Sequence, residues 1–206
     1  MNSQKPEAGS QKSEEKNASL IESVKNRFPD AVLSSHTYRG DATLVLNGKF
    51  LLEAARFLKE DPAFLMNFLV DVSAVDYSTF GTRPTPAFFN SSGVTVKPDS
   101  QIPDEDPWPG PPDERFTVVY HFYSMTHKHR LRLVVPVDES AAEVDSLVAL
   151  WPAANWLERE VWDMFGIGFR GHPDLKRILM YDGFEGHPLR KDYAVKRRQP
   201  LIGPVN

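Results

Sequence analysis

Leu20, Ile21, Val24 and Phe28 recur at intervals of one to four residues, which places them on one face of a helix, and Pro29 stops the run. Ser19 with Glu22 supplies a capping-box pattern at its start. Ala31 to Thr37 and Ala42 to Leu46 then read as two strands joined at Arg39-Gly40-Asp41. That tripeptide matches a cell-adhesion motif, but it sits where a hairpin needs a glycine turn, and nothing marks the chain as secreted. Helical spacing returns over Phe50 to Lys59 and again over Pro62 to Val72. The second of these opens on Asp61-Pro62 as cap and first-turn proline, and its apolar stripe is Phe64, Leu65, Phe68, Leu69 and Val72.

From Gly81 to Asp113 the pattern dissolves into prolines, an acidic cluster at Asp104-Glu105-Asp106, and Trp108 set within Pro-Trp-Pro-Gly-Pro-Pro. No regular element propagates through such a run, so residues 81–113 are expected to form an inserted loop or strap with Trp108 as its anchor. Phe116 to Ser124 and His129 to Val135 alternate around Met125-Thr126-His127-Lys128, the clearest hairpin in the chain. After Pro136, the spacing of Ala141, Val144, Leu147, Val148 and Trp151 predicts another short helix.

The densest stretch runs from Trp156 to Tyr193. Asn155 and Glu158 suggest a capped helix start, and Gly166 suggests its end. On that helix Leu157, Val161, Met164 and Phe165 form the apolar face, with Glu158, Arg159 and Asp163 projecting elsewhere. Beyond it, two Gly-His-Pro turns and the strip Leu189-Arg190-Lys191-Asp192-Tyr193 show neither helical period nor lasting alternation. Residues 170–198 carry eight basic side chains against four acidic, a net of +4 in a chain whose total is −4. This asymmetry predicts a segment that takes its order from an acidic or polar partner surface, with arginine forks on carboxylates. Residues 1–18 are expected to be a flexible arm, 19–166 a domain, and 167–206 an extended C-terminal segment that wraps a partner. The pattern implies an α+β class, a compact two-layer domain with a mainly antiparallel sheet and packed helices. A chain ended before Gly171 is expected to keep that domain folded.

With 206 residues and 41% hydrophobic content, the chain can bury a real core. Having no cysteine, it offers no disulfide, thiol nucleophile, or cysteine-ligated zinc or iron–sulfur site. No apolar run approaches the roughly 20 residues that span a bilayer. The negative balance argues against nucleic acid as a partner. Asp163-Met164-Phe165-Gly166 is no kinase Asp-Phe-Gly, because methionine interrupts it and no phosphate loop accompanies it. His121, His127 and His129 lack an acidic ligand at metal-binding spacing. His172 and His187 precede prolines in turns, which suits rings bonded to backbone, and Glu158 and Glu160 diverge on a helix. No catalytic, cofactor-binding or metal-binding set emerges.

Glu158-Arg159-Glu160, Asp163-Met164-Phe165, Gly171-His172, Lys176, Ile178-Leu179 and His187-Pro188-Leu189-Arg190-Lys191-Asp192-Tyr193 together strongly resemble the C-subunit family of NADH-quinone oxidoreductase, respiratory complex I. The likeness is dense over Pro152 to Tyr193. It is weaker over about Leu20 to Phe80 and Arg115 to Ala154, where Ala74-Val75-Asp76-Tyr77 and Val119 to Ser124 carry it. The resemblance implies a component of the hydrophilic arm that binds no redox centre, in a complex using NADH, FMN, iron–sulfur clusters and quinone. Its implied neighbours are the quinone-site (D) and cluster-bearing (B) subunits of complex I, with the I subunit a further candidate. Its implied place is peripheral, on the cytoplasmic face of the bacterial inner membrane, reached only through the complex. Glu158, Arg159, Glu160, Asp163, Phe165, Gly171, His172, Lys176, His187, Arg190, Lys191, Asp192 and Tyr193 would then be architectural or interface positions. The 81–113 insertion, Ala194 where proline is usual, and the Lys196-Arg197-Arg198 run depart from the pattern. Membrane-bound hydrogenases and NAD(P)H dehydrogenase-like complexes with an equivalent subunit form the alternative.

Overall fold

Val72, Tyr120, Leu133 and Leu44 lie in register across four neighbouring strands, each no more than 3% exposed, and this row marks the centre of the core. A computed structural model of the chain describes residues 19–38, 41–79, 88–89, 95–96, 113–197 and 199. The strands are β1 (Val32–Tyr38), β2 (Asp41–Leu46), β3 (Phe68–Asp76), β4 (Phe88–Phe89), β5 (Thr95–Val96), β6 (Phe116–Tyr123), β7 (Arg130–Val137), β8 (Glu143–Asp145) and β9 (Gly168–Arg170). The helices are α1 (residues 19–27), α2 (Leu51–Glu60) and α3 (Ala154–Phe165). The main sheet runs β1-β2-β7-β6-β3, and every pair is antiparallel except β2 with β7.

Alternation puts Val118, Tyr120 and Phe122 of β6 and Leu131, Leu133, Val135 and Val137 of β7 on the inner face. These residues share one core with Leu20, Ile21 and Val24 of α1, Leu51, Ala54, Ala55 and Leu58 of α2, and Val161, Met164 and Phe165 of α3. Each large side chain removed from water there contributes about 1.5–3 kcal/mol. The α+β class, the mainly antiparallel sheet, the first helix, the 31–46 strand pair and the 116–135 hairpin agree with the sequence reading.

Two predicted helices are absent. Residues 62–72 instead form a turn and the start of β3. Asp61 Oδ1 accepts from the Ala63 amide at 2.8 Å, and Leu65 takes a positive φ of 43°. A register shift in β3 between Leu69 and Asp71 spaces the buried Leu69 and Val72 three apart, as on a helix face. Beyond Val72 the strict alternation returns, with Ala74 and Asp76 inward. The helix expected around residues 141–151 is a 3-10 turn at Glu139–Ala141 followed by β8, which pairs in parallel with β9. A neighbouring strand captured this segment, and Val144, Leu147 and Trp151 became core residues of an irregular path.

Within the 81–113 stretch, β4 and β5 pair antiparallel, so a short ladder forms where only a loop was expected. Trp108, the 1–18 arm and the Arg39-Gly40 turn lie outside the described residues. No helix among the described residues is long and apolar enough to cross a membrane.

Candidate functional site

Helix α3 carries the residues that attach the C-terminal segment to the domain. Its start is set by Ala153, which makes no side-chain cap bond, so the cap expected at Asn155 does not form. Gly166 ends it in the left-handed conformation at φ 75°. A Cβ there would meet the His187 ring at 2.6 Å, so glycine serves both the turn and the close approach.

The expectation that Glu158, Arg159 and Asp163 project away from the core is overturned. Glu158 and Asp163 are fully buried, and Arg159 is 9% exposed. Ala154, Glu158, Val161 and Phe165 follow at steps of four, three and four, which is a single face, so Glu158 belongs to the apolar stripe. It accepts from the Ser146 hydroxyl at 2.6 Å and the Leu147 amide at 2.7 Å, bracing the irregular path after β8. Burial pushes its pKa up to about 7, against the opposing pull of those two donors.

Asp163 is a different kind of buried acid. Its carboxylate accepts from the amides of Ile178, Leu179 and Met180 at 3.1, 2.9 and 2.8 Å, and it pairs with the Arg177 guanidinium. Burial works against its charge, but the Met180 amide, Arg177 and the other two amides together hold its pKa below the usual carboxylate range. Arg177 also donates to the Gly186 carbonyl, and Arg159 donates to the carbonyls of Lys176 and Arg177. One helix therefore grips residues 176–180 from two sides.

A second clamp lies at the end of β3. Asp76 accepts from Arg115 Nε and Nη2 at 3.1 and 2.9 Å, from the Ser78 amide at 3.0 Å, and from the Lys191 amide at 2.8 Å. Burial opposes its ionisation, yet Arg115 and the two amides keep it well below the ordinary range. Arg115 reaches Asp192 at 3.0 Å and also pairs with Glu139. Arg190 pairs with Glu139 at 3.3 Å and Asp192 at 3.6 Å while lying over the Phe116 ring. The first clamp joins residues 14 to 18 positions apart and the second reaches 115 positions, from Asp76 to Lys191, yet both close on the C-terminal segment.

The remaining predicted residues fall around this frame. His172 Nδ1 accepts from the Asp174 amide, which leaves Nε2–H to donate to the Asn155 carbonyl at 3.1 Å. His187 Nδ1 donates to the Asp163 carbonyl at 3.0 Å. Lys176 pairs with the nearby Asp174 at 2.7 Å, and Glu160 is exposed. Phe165 is a core residue, and Gly171 turns the chain at φ 83° after β9. The Tyr193 hydroxyl accepts from Gln199, and its ring stacks on Phe184. Sequence reasoning missed Ser146, Asp76, Arg115 and Glu139 as clamp members. A wheel drawn from Ala154 would have placed Glu158 inward, whereas nothing local marked Asp76 as the acceptor for a residue 115 positions away.

Among the described residues no group of three or more His, Asp or Glu side chains is placed to hold a metal ion. His127 and His129 stack with centroids 5.7 Å apart, and His127 Nε2 lies 2.8 Å from the Pro62 carbonyl.

A chain with this α+β body and a latched C-terminal segment has known relatives. The family model described as respiratory-chain NADH dehydrogenase, 30 Kd subunit, matches residues 44–199, and so spans both the domain and the segment. The C subunit of NADH-quinone oxidoreductase from Roseiflexus sp. (strain RS-1) is 41% identical over 176 residues, covering 85% of this chain and 83% of the relative. The protein of the same name from Citrifermentans bemidjiense is 39% identical over 190 residues, with 92% of each chain covered. Among solved structures, the trypsin-resistant fragment (1-134) of Nqo5 aligns with TM-score 0.56 and 28% identity, over 78% of this chain and 99% of that one. The chain belongs to the 30 Kd subunit family of respiratory-chain NADH dehydrogenase.

Proposed function

We propose that this chain is a non-redox structural component of the peripheral arm of a proton-translocating NADH-quinone oxidoreductase. In this reading it docks on the quinone-site and cluster-bearing subunits, at the cytoplasmic face of the membrane, and supports electron transfer without a cofactor of its own. The observation that carries it is the family match across residues 44–199, which includes the clamped segment. The chemistry of the buried acids supports it as well. Glu158, Asp163 and Asp76 are each buried and occupied by donors that brace the fold.

A tagged chain expressed in its own cells tests this reading. It should co-purify in stoichiometric amount with membranes holding NADH-quinone reductase activity and with the subunits that bear the quinone site and the clusters. Co-purification with a hydrogenase activity instead would move the chain to a related complex. Turnover of NADH or quinone by the isolated chain would remove the non-catalytic role.

A further inference from the structure

The basic C-terminal segment invites an acidic partner, but its described arginines are already engaged. Arg170 pairs with Asp145 and Glu143, Arg177 with Asp163, Arg190 with Glu139 and Asp192, and Arg197 with Glu185. Lys176 pairs with Asp174. Among the described cations of residues 170–197, only Lys191 and Lys196 have no ion-pair partner, and both are exposed.

What the segment leaves uncovered is apolar. Of the ten large apolar side chains exposed among the described residues, Trp156, Leu179, Tyr181, Leu189 and Val195 fall on α3 and this segment. Three of them are fixed to one helix. Trp156 is 63% exposed on α3, and Arg159 lies over its ring while holding the carbonyls of Lys176 and Arg177. Leu179, 55% exposed, is tied through its amide to Asp163, and Leu189, 50% exposed, donates its amide to the Met164 carbonyl. Trp156 lies seven to eight residues from Asp163 and Met164, about 12 Å along the helix, so the three residues are held on one strip of roughly that length. The clamps hold the strip in shape before any partner arrives, which lowers the ordering cost of binding.

We propose that this chain docks through the exposed apolar side chains of Trp156, Leu179 and Leu189, and that its occupant is a protein surface with apolar pockets, not an acidic one. The inference rests on the subunit reading above and specifies the chemistry of the interface. A bilayer is disfavoured, because anionic headgroups attract unpaired cations and five of the seven described cations of residues 170–197 are paired with carboxylates.

Three measurements on the assembled complex test it. Leu179→Asp and Leu189→Asp should each lower recovery of the chain with the complex about tenfold or more, while the isolated variants keep the wild-type thermal midpoint to within a few degrees. Lys191→Glu and Lys196→Glu should keep recovery within about twofold. Raising salt from about 0.1 M to about 1 M, which cuts the screening length from about 10 Å to about 3 Å, should leave the wild-type chain bound; this arm needs no variant to fold. Release at high salt, equal losses in the lysine and leucine variants, or sedimentation of the wild-type chain with vesicles of phosphatidylserine would each overturn the proposal. In those cases the wild-type chain still co-purifies and the subunit reading stands, whereas a wild-type chain found with no complex at all removes both.

Discussion

Glu158 and Asp163 sit five positions apart on one helix, equally buried, and their surroundings drive their ionisation in opposite directions. Glu158 meets two donors, too few to offset burial, whereas Asp163 meets three amides and a guanidinium. The consequences for stability have opposite signs. A carboxyl raised to about 7 contributes stability that is fully present below its unfolded value of 4.5 and is lost as pH rises through 7. That shift corresponds to about 3 kcal/mol. Glu158→Gln should therefore match the wild type near pH 4.5 and exceed it by up to about 3 kcal/mol at pH 8, measured by urea denaturation at both pH values. Asp163 contributes stability that is present above its ordinary value and is lost only as pH falls through its depressed one. Asp163→Asn should cost about 3–5 kcal/mol at neutral pH, because Arg177 and three amides lose a charged acceptor. The face drawn from Leu157 set Glu158 outside, although a wheel begun at Ala154 would have turned it inward; its partner Ser146 and its raised pKa depended on a path that no local pattern announces.

At the scale of elements, α3 was readable and its ends were half readable. Gly166 announced the C-terminus, because only glycine adopts φ 75° there without strain. The true N-terminus at Ala153 carried no capping side chain, so the more attractive Asn155 drew the boundary inward. Gly166→Ala should cost about 1–2 kcal/mol for the left-handed conformation alone. It should also push the His187 ring off its bond to the Asp163 carbonyl, because the new methyl lies 2.6 Å from that ring. Faster amide exchange at Leu189, whose donor bond ends on Met164, reads out the second effect. The misread 62–72 stretch has the opposite lesson. Its bulge broke the two-residue period at the point where β-branched Val70 and Val72 favoured a strand.

For the whole molecule, the C-terminal segment and the domain are mutually dependent. The segment bonds to Asp76, Asp163, Met164 and Glu139, so its order has a source inside its own chain. A chain ended before Gly171 would strip Asp163 of Arg177 and its amide donors, and Asp76 of the Lys191 amide. Loss of those partners predicts that such a truncation destabilises the domain. Its thermal midpoint should fall by about 10 °C or more, at roughly 2–4 °C per kcal/mol for a chain of this length. Trypsin should cut the isolated full chain slowly after Arg177 and Arg190, which the clamps hold, and sooner after the exposed Lys196. Equal rates at all three sites would show that the segment is not held.

The linear pattern by itself determined the α+β class, the central hairpin, the helix that ends at Gly166, and the family through the Glu158 to Tyr193 signature. These rest on side-chain periodicity, on turn residues with restricted backbone freedom, and on residue identity, all of which are local. Only the folded chain decided that two predicted helices would be strand and turn, that Glu158 and Asp163 would titrate apart, and that the described arginines of the basic segment would pair with carboxylates of this same chain. Each of those outcomes is set by distance in space, where burial, donor count and ion pairing join residues far apart along the chain.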